Sequence, residues 1–233
     1  MIPISDDNPT ERAPVVNWLL IVACVLVFVW EFSLGAVDMD SAMGVWGFTP
    51  AAFFGHMQAP SEMFGVPAAG TIVTSMFFHG SVLHLLGNML YLWIFGDNIE
   101  EAMGHVRYVL FYLACGAAAA LTMSLLDPSS DIPMVGASGA ISGVLGAYML
   151  LYPRARVREL IPLGIIPVLF WIRAVWVVGI WFVLQLVSAA YSEIGEPGTA
   201  FWAHVGGFIA GLLLTPVLKS RHVRYFGPYF ERY

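Results

Sequence analysis

The sequence predicts an all-α membrane protein of six transmembrane helices, with its N- and C-termini on the cytoplasmic side. Three observations predict it. The 233 residues are 59% hydrophobic and only 11% charged, with a mean hydropathy of +0.77, which a soluble domain of this length does not sustain. Six apolar runs approach the length of about 20 residues that a bilayer core demands. Threaded alternately through a membrane, they leave all ten Lys and Arg residues on one side.

The elements follow in order. Residues 1–14 are polar and acidic and form a short cytoplasmic segment with no cleavable signal peptide. The first apolar run is Val15–Leu34. The external loop of about residues 35–80 is too long for a bare connector. Its apolar and aromatic stretches, Val45-Trp46-Gly47-Phe48 and Ala51-Ala52-Phe53-Phe54, place it partly in the outer interface as short helices. Runs two to four are Leu83–Ile99, Val106–Leu126 and Ser138–Tyr152. The fourth is short for a span, so it starts below the membrane surface and its first turn lines a cavity. Val157–Phe170, rich in Ile, Leu and Pro, is a cytoplasmic interfacial stretch. Runs five and six are Ile172–Tyr191 and Thr199–Leu218, and 219–233 is a cytoplasmic tail. Residues 15–218 therefore make one six-helix domain.

The charges set the orientation. Arg12, Arg107, Arg154, Arg156, Arg158, Arg173, Lys219, Arg221, Arg224 and Arg232 lie on one side. The opposite loops carry only acids: Asp38, Asp40, Glu62, Asp127, Asp131, Glu193 and Glu196. By the positive-inside rule the basic side is cytoplasmic. Ser138 then opens its helix from the external side, and His204 sits near the external end of the last helix.

A serine needs a base to become a nucleophile, and an imidazole is the natural one near neutral pH. Ser138 stands in Gly136-Ala137-Ser138-Gly139, and His204 in Ala203-His204-Val205-Gly206-Gly207. Small residues recur every four positions on the fourth helix (Ser138, Ser142, Gly146; Gly139, Gly143), and His204, Gly207 and Gly211 follow one face of the sixth. Such stripes let helix backbones approach closely, which can bring the hydroxyl onto the imidazole. Packing alone also accounts for the stripes.

The second helix opens His79-Gly80-Ser81-Val82-Leu83-His84-Leu85-Leu86-Gly87-Asn88. His84 and Asn88 share a face, and polar groups in an apolar span need a partner. Both can donate to the oxyanion of a tetrahedral intermediate, and the open N–H groups where Ser138 begins its helix, with Gly139 next to it, can join them. A structural hydrogen-bond pair between helices two and four uses the same residues. A metal site would need His79, His84 and His204. No carboxylate or cysteine stands beside them, and no metal or cofactor is expected. Cys24 and Cys115 read as small buried residues. No acid completes a triad: Asp127 and Asp131 are loop-borne, as are Glu193 and Glu196, so a Ser-His dyad is expected. The G-x-S-x-G elbow of soluble hydrolases is absent, because Ala140 stands two residues after Ser138. The fifth run carries bulky Trp176, Trp181, Phe182 and Leu186 without a continuous glycine stripe. It is expected to pack by side chains on the second helix and to tilt when substrate enters.

These motifs resemble the signatures of the rhomboid family of intramembrane serine proteases: Gly136-Ala137-Ser138-Gly139, His79-x4-His84-x3-Asn88, and Ala203-His204-Val205-Gly206-Gly207-Phe208-Ile209-Ala210-Gly211. Gly96-x3-Glu100-x3-Gly104 followed by Phe111-Tyr112-Leu113 resembles the family's turn between helices two and three. The resemblance spans essentially the whole chain. It implies a rhomboid-like bundle of the bacterial type that cleaves single-pass transmembrane proteins at their outer portion. Ser138 is then the nucleophile, His204 the general base and acid, and His84, Asn88, Gly139 and the Ser138 N–H the oxyanion site. Glu100 is implied to be structural, and helix five with the following loop a gate and cap. Two positions depart from the family. Ser142 stands where some bacterial members have an aromatic that stacks on the histidine. In the external loop, Trp46 is followed by Gly47 where many members have Arg.

The function expected is intramembrane endopeptidase activity in a bacterial inner membrane, with the site opening toward the external, periplasmic side. Its partners are membrane substrates and the bilayer, with no nucleic acid. The alternatives are a catalytically weak or inactive relative that binds or escorts membrane clients, and a transporter. The apolar inner halves Leu145–Leu151 and Phe208–Leu214 argue against the transporter.

Overall fold

The computed structural model describes residues 2–163, 166–192 and 200–226. Glu193, Glu196, Arg232 and the loop at 193–199 lie outside the described residues. The element order is β1 (Ile2–Asp6), α1 (Val15–Ser33), α2 (Ala36–Trp46), α3 (Pro50–Phe53), α4 (Thr71–Thr74), α5 (Val82–Met103), α6 (His105–Leu126), α7 (Ser138–Leu151), β2 (Arg156–Leu163), β3 (Ile166–Arg173), α8 (Ala174–Tyr191) and α9 (Phe201–Leu218). Short 3-10 turns at Pro60–Phe64, Ala68–Gly70 and Ser75–Phe77 punctuate the long loop, which is thus built of short helical pieces.

The six apolar runs fall on α1, α5, α6, α7, α8 and α9. By length and composition α1, α6, α8 and α9 can each cross a membrane. The stretch Ala68–Phe77 joins α5 in a pair bent by 82°, which makes up to five. Helix α7 is apolar but has only 14 residues.

Helix α7 is the centre of the bundle. Ten of its residues are buried, from Ala140 to Leu151, and it packs on α9, α6 and α5. Around it Leu92, Phe95, Tyr108, Phe111, Tyr112 and Phe208 are wholly buried. A polar cluster in this apolar interior is paired, as the cost of desolvation requires. Glu100 of α5 accepts from the Val16 and Asn17 N–H groups at 2.9 and 2.7 Å, capping the start of α1, and also meets the His105 ring. Asn17 in turn donates to the Leu92 carbonyl at 2.9 Å and accepts from the Tyr108 hydroxyl at 2.8 Å. Glu100 thus ties α5 to α1 by capping it.

The structure corrects the sequence reading in three places. The chain is mostly but not purely helical: β1, β2 and β3 form an antiparallel sheet in that order. Of residues 157–170, read from sequence as an interfacial stretch, 157–163 and 166–170 are strand, paired antiparallel in register from Arg156↔Arg173 to Leu163↔Ile166. The reason lies in the residues: β-branched and aromatic side chains are frequent in the hairpin, and Pro162 opposite Pro167 blocks helix within it. The strands carry on to Arg173, so the following helix starts at Ala174 rather than Ile172. Finally, α8 packs on α9 and α7 rather than chiefly on α5. The Phe182 ring stacks on Phe208 of α9 with centroids 4.0 Å apart.

Candidate active site

The site forms where α7 begins. Gly136 adopts φ 123°, a conformation that favours glycine, and its N–H donates to the Ser75 carbonyl at 2.8 Å. A Cβ here would press on the His84 imidazole at 2.8 Å, so glycine is needed for space as well as for the turn. The chain then enters α7 with Ser138 in its first turn. The N-cap residue Ala137 supplies no side-chain cap, and the first-turn residues Ser138, Gly139 and Ala140 line the cavity.

Helix α9 approaches α7 through glycine. A Cβ added at Gly207 would overlap the Gly139 carbonyl oxygen, and one at Gly211 would overlap the Gly143 backbone. A Cβ at Gly146 would meet the Phe208 carbonyl oxygen at 2.6 Å. This backbone-to-backbone contact puts His204 Nε2 2.8 Å from Ser138 Oγ. The other ring nitrogen, Nδ1, lies 2.7 Å from Gln185 Oε1 on α8. His204 is 9% exposed. Trp181 flanks its ring with centroids 6.1 Å apart, and Phe201 meets it edge-on at 6.5 Å.

Ser138, Gly139, His204, His84, Asn88 and Trp181 line one cavity of about 920 Å³. Helix α5 brings His84 and Asn88 to it. Ser81 caps α5 by accepting from the His84 N–H at 3.2 Å, which fixes where the first turn begins. Asn88 is 7% exposed, and its Nδ2 is buried without a hydrogen-bond partner. An unpaired amide donor is costly to bury, and here it borders the cavity that holds Ser138. The arrangement can do acyl-transfer chemistry: a hydroxyl on an imidazole, with donors on the neighbouring wall.

The structure therefore brings together all five site residues expected from sequence. His79, which is off the face shared by His84 and Asn88 in sequence spacing, nonetheless lies beside His84, with ring centroids 5.1 Å apart. Its Nδ1 is 3.2 Å from the Phe77 carbonyl, and its N–H donates to Glu31 at 3.2 Å. Among the described residues no group of three His, Cys, Asp or Glu side chains is placed to hold a metal ion. Ser142, at the position of the family's aromatic, donates to the Ser138 carbonyl at 2.6 Å. The ring contacts on His204 come instead from Trp181 and Phe201. Sequence reasoning missed Gln185. The signal was present: it is the one side-chain amide in a strongly apolar helix, and the argument applied to Asn88 applies equally to it.

Comparison with known proteins bears on the same residues. A family model described as Rhomboid domain matches residues 68–221, which include every site residue above. RHOMBOID-like protein 4 of Arabidopsis thaliana is 34% identical over 153 residues, covering 64% of this chain and 34% of that protein. Rhomboid protease GluP of Bacillus subtilis is 30% identical over 158 residues, 67% of this chain and 27% of the relative. Rhomboid protease GlpG of Salmonella choleraesuis is 25% identical over 207 residues, 88% and 63%. The chain thus spans only part of each relative.

Proposed function

The chain belongs to the rhomboid family and is an integral membrane protein, and from that premise we propose that it is an intramembrane serine endopeptidase that cleaves single-pass membrane proteins. The observation that carries the reading is the 2.8 Å approach of Ser138 Oγ to His204 Nε2 across two buried helices. In the proposed reaction His204 Nε2 takes the hydroxyl proton as Oγ attacks the scissile carbonyl carbon. The oxyanion that forms is held by Asn88 Nδ2, the His84 ring and the N–H groups at Ser138 and Gly139. His204 then gives its proton to the leaving amine, and the C–N bond breaks to leave an acyl-serine. Water, reaching Ser138 through the cavity, attacks the ester with His204 again as base, releasing the acid and restoring the hydroxyl.

Around this chemistry we place six membrane crossings within residues 15–218, both termini in the cytoplasm and the cavity facing outward, on the distribution of Lys and Arg. Residues 1–14 and 219–233 are then cytoplasmic flanks. A bacterial inner membrane fits this arrangement.

The test is a fluorophosphonate probe on the purified protein, with the labelled residue mapped, and cleavage of a transmembrane substrate. Label is expected on Ser138. Ser138→Ala and His204→Ala should each abolish cleavage, and the double variant should be no worse, because groups acting as a unit are non-additive. Cleavage by folded Ser138→Ala would end the assignment. Activity is expected to persist in EDTA and phenanthroline.

A further inference from the structure

Helix α8 is built to face lipid, yet it carries Gln185. Its mean hydropathy is 1.9, and only 17% of it is buried. A primary amide in such a helix needs a hydrogen-bond partner. The partner is the base of the proposed reaction: Gln185 Oε1 lies 2.7 Å from His204 Nδ1. With the amide oxygen in this place as the acceptor, the bond calls for the proton on Nδ1. A neutral imidazole protonated at Nδ1 keeps its lone pair on Nε2, and Nε2 faces Ser138 Oγ at 2.8 Å.

The neighbours of Gln185 serve the same ring. Trp181 lies one turn away on the same face of α8 and covers the imidazole, with centroids 6.1 Å apart. Phe182 stacks on Phe208, one turn below His204 on α9, at 4.0 Å. Three side chains of α8 thus meet the two residues of α9 that set the position and tilt of the imidazole. The Ser142 hydroxyl serves the Ser138 carbonyl instead.

We infer that Gln185 is a positioning residue: it accepts the His204 Nδ1–H and thereby holds the base in the one tautomer and ring orientation that can take the Ser138 proton. It does for the imidazole what a carboxylate does in a soluble triad, with a neutral group whose burial beside lipid costs less than that of a charge. Without it, the neutral ring populates the Nε2–H tautomer and can turn about its side-chain torsion, and in either state Nε2 has no lone pair directed at the serine. The inference rests on the protease reading, but its first readout does not depend on activity.

The experiment is nitrogen NMR of protein labelled with 15N in its imidazoles, in detergent micelles, with the His204 signals identified by their loss in His204→Ala. The wild type is expected to show a neutral His204 protonated at Nδ1, and Gln185→Leu a shift of population toward Nε2–H. On a transmembrane substrate Gln185→Leu should lower kcat roughly tenfold, as loss of one hydrogen bond to the base implies, with KM changed less than about twofold. Gln185→Glu, which keeps an acceptor at the same reach, should recover most of that loss. A wild-type His204 protonated at Nε2 overturns the inference without any variant, and so does a folded Gln185→Leu protein with unchanged tautomer and kcat. Failure of Ser138 to react with a fluorophosphonate while His204 shows the Nδ1–H tautomer would instead sink the protease reading and leave the Gln185 contact standing.

Discussion

Helix α9 has two working faces, and they are made differently. Toward α7 it presents Gly207 and Gly211, and the two backbones touch with no side chain between them. Toward α8 it presents His204 and Phe208, whose side chains meet those of Gln185, Trp181 and Phe182. The first contact sets a distance. Two backbones in van der Waals contact cannot be brought nearer or relaxed by a rotamer change, so the separation of Ser138 from His204 is carried by the helices themselves. The second contact sets an orientation, because rings and amides have torsions that partners must hold. Distance is therefore rigid in this site, and orientation depends on how α8 is docked.

The largest effect should come from breaking the backbone face. Gly207→Val places side-chain atoms where the Gly139 carbonyl stands. Overpacking of this kind costs about 1–3 kcal/mol, and the displaced helix should lower cleavage by roughly 100-fold or more, since small misplacements are costly to catalysis. Thermal melting with turnover measures both. The matched control is Gly179→Ala on α8, where an added Cβ meets nothing within 4 Å. It should leave melting and turnover unchanged.

Next in size is the proposed oxyanion wall. Removal of one such donor typically costs about 10²–10³ in rate, and Asn88→Ala should reach no further than the lower end, because the helix N–H groups remain. If Asn88→Ala turns over at the wild-type rate, its buried amide is structural. Smaller again is Phe182→Ala, which removes a half-buried ring and should destabilise by about 1–2 kcal/mol. A lower kcat is expected, because the stack holds α8 against the histidine. A higher kcat would instead restore the sequence-based picture of α8 as a loosely held gate.

The smallest effect sharpens the contrast from the opposite end of α7. There the Tyr148 hydroxyl donates to Asp6 of β1, and burial pushes the Asp6 carboxyl up to about 6 from an ordinary 3.8. The folded protein thus binds this proton more tightly than the unfolded chain. The contribution is fully present below 3.8 and is lost as pH rises through about 6. Melting should fall between about pH 5 and pH 7.5 by an amount that Asp6→Asn removes, on the order of 1 kcal/mol. Turnover at about pH 7.5 should be the same in Asp6→Asn and wild type, since the glycine contact keeps Ser138 and His204 together whatever happens at the far end.

The six apolar runs read from the sequence all fall on helices, and Ser138 and His204, singled out on two of them, lie 2.8 Å apart. Apolar runs bounded by Pro14, Ser81, Gly104 and Gly136 mark helix ends by local chemistry that does not depend on the rest of the chain. Ser138 and His204 stand out because a polar group beside glycine in an apolar run is costly without a use, and the cost is visible in one dimension. His84 and Asn88 share a face by helical spacing, so their convergence was also readable. The β2–β3 hairpin was not, since a short apolar stretch with two prolines carries no period strong enough to separate strand from interfacial coil, and its pairing with Ile2–Asp6 joins residues more than 150 apart in sequence. The same limit applied to α8. Its composition identified a lipid-facing helix, but nothing local says which neighbour it leans on. Only the packed bundle put Gln185 on His204 rather than on α5. Spacing assigns a side chain to a face of its own helix, whereas its partner on another helix is decided by how the two surfaces fit in three dimensions.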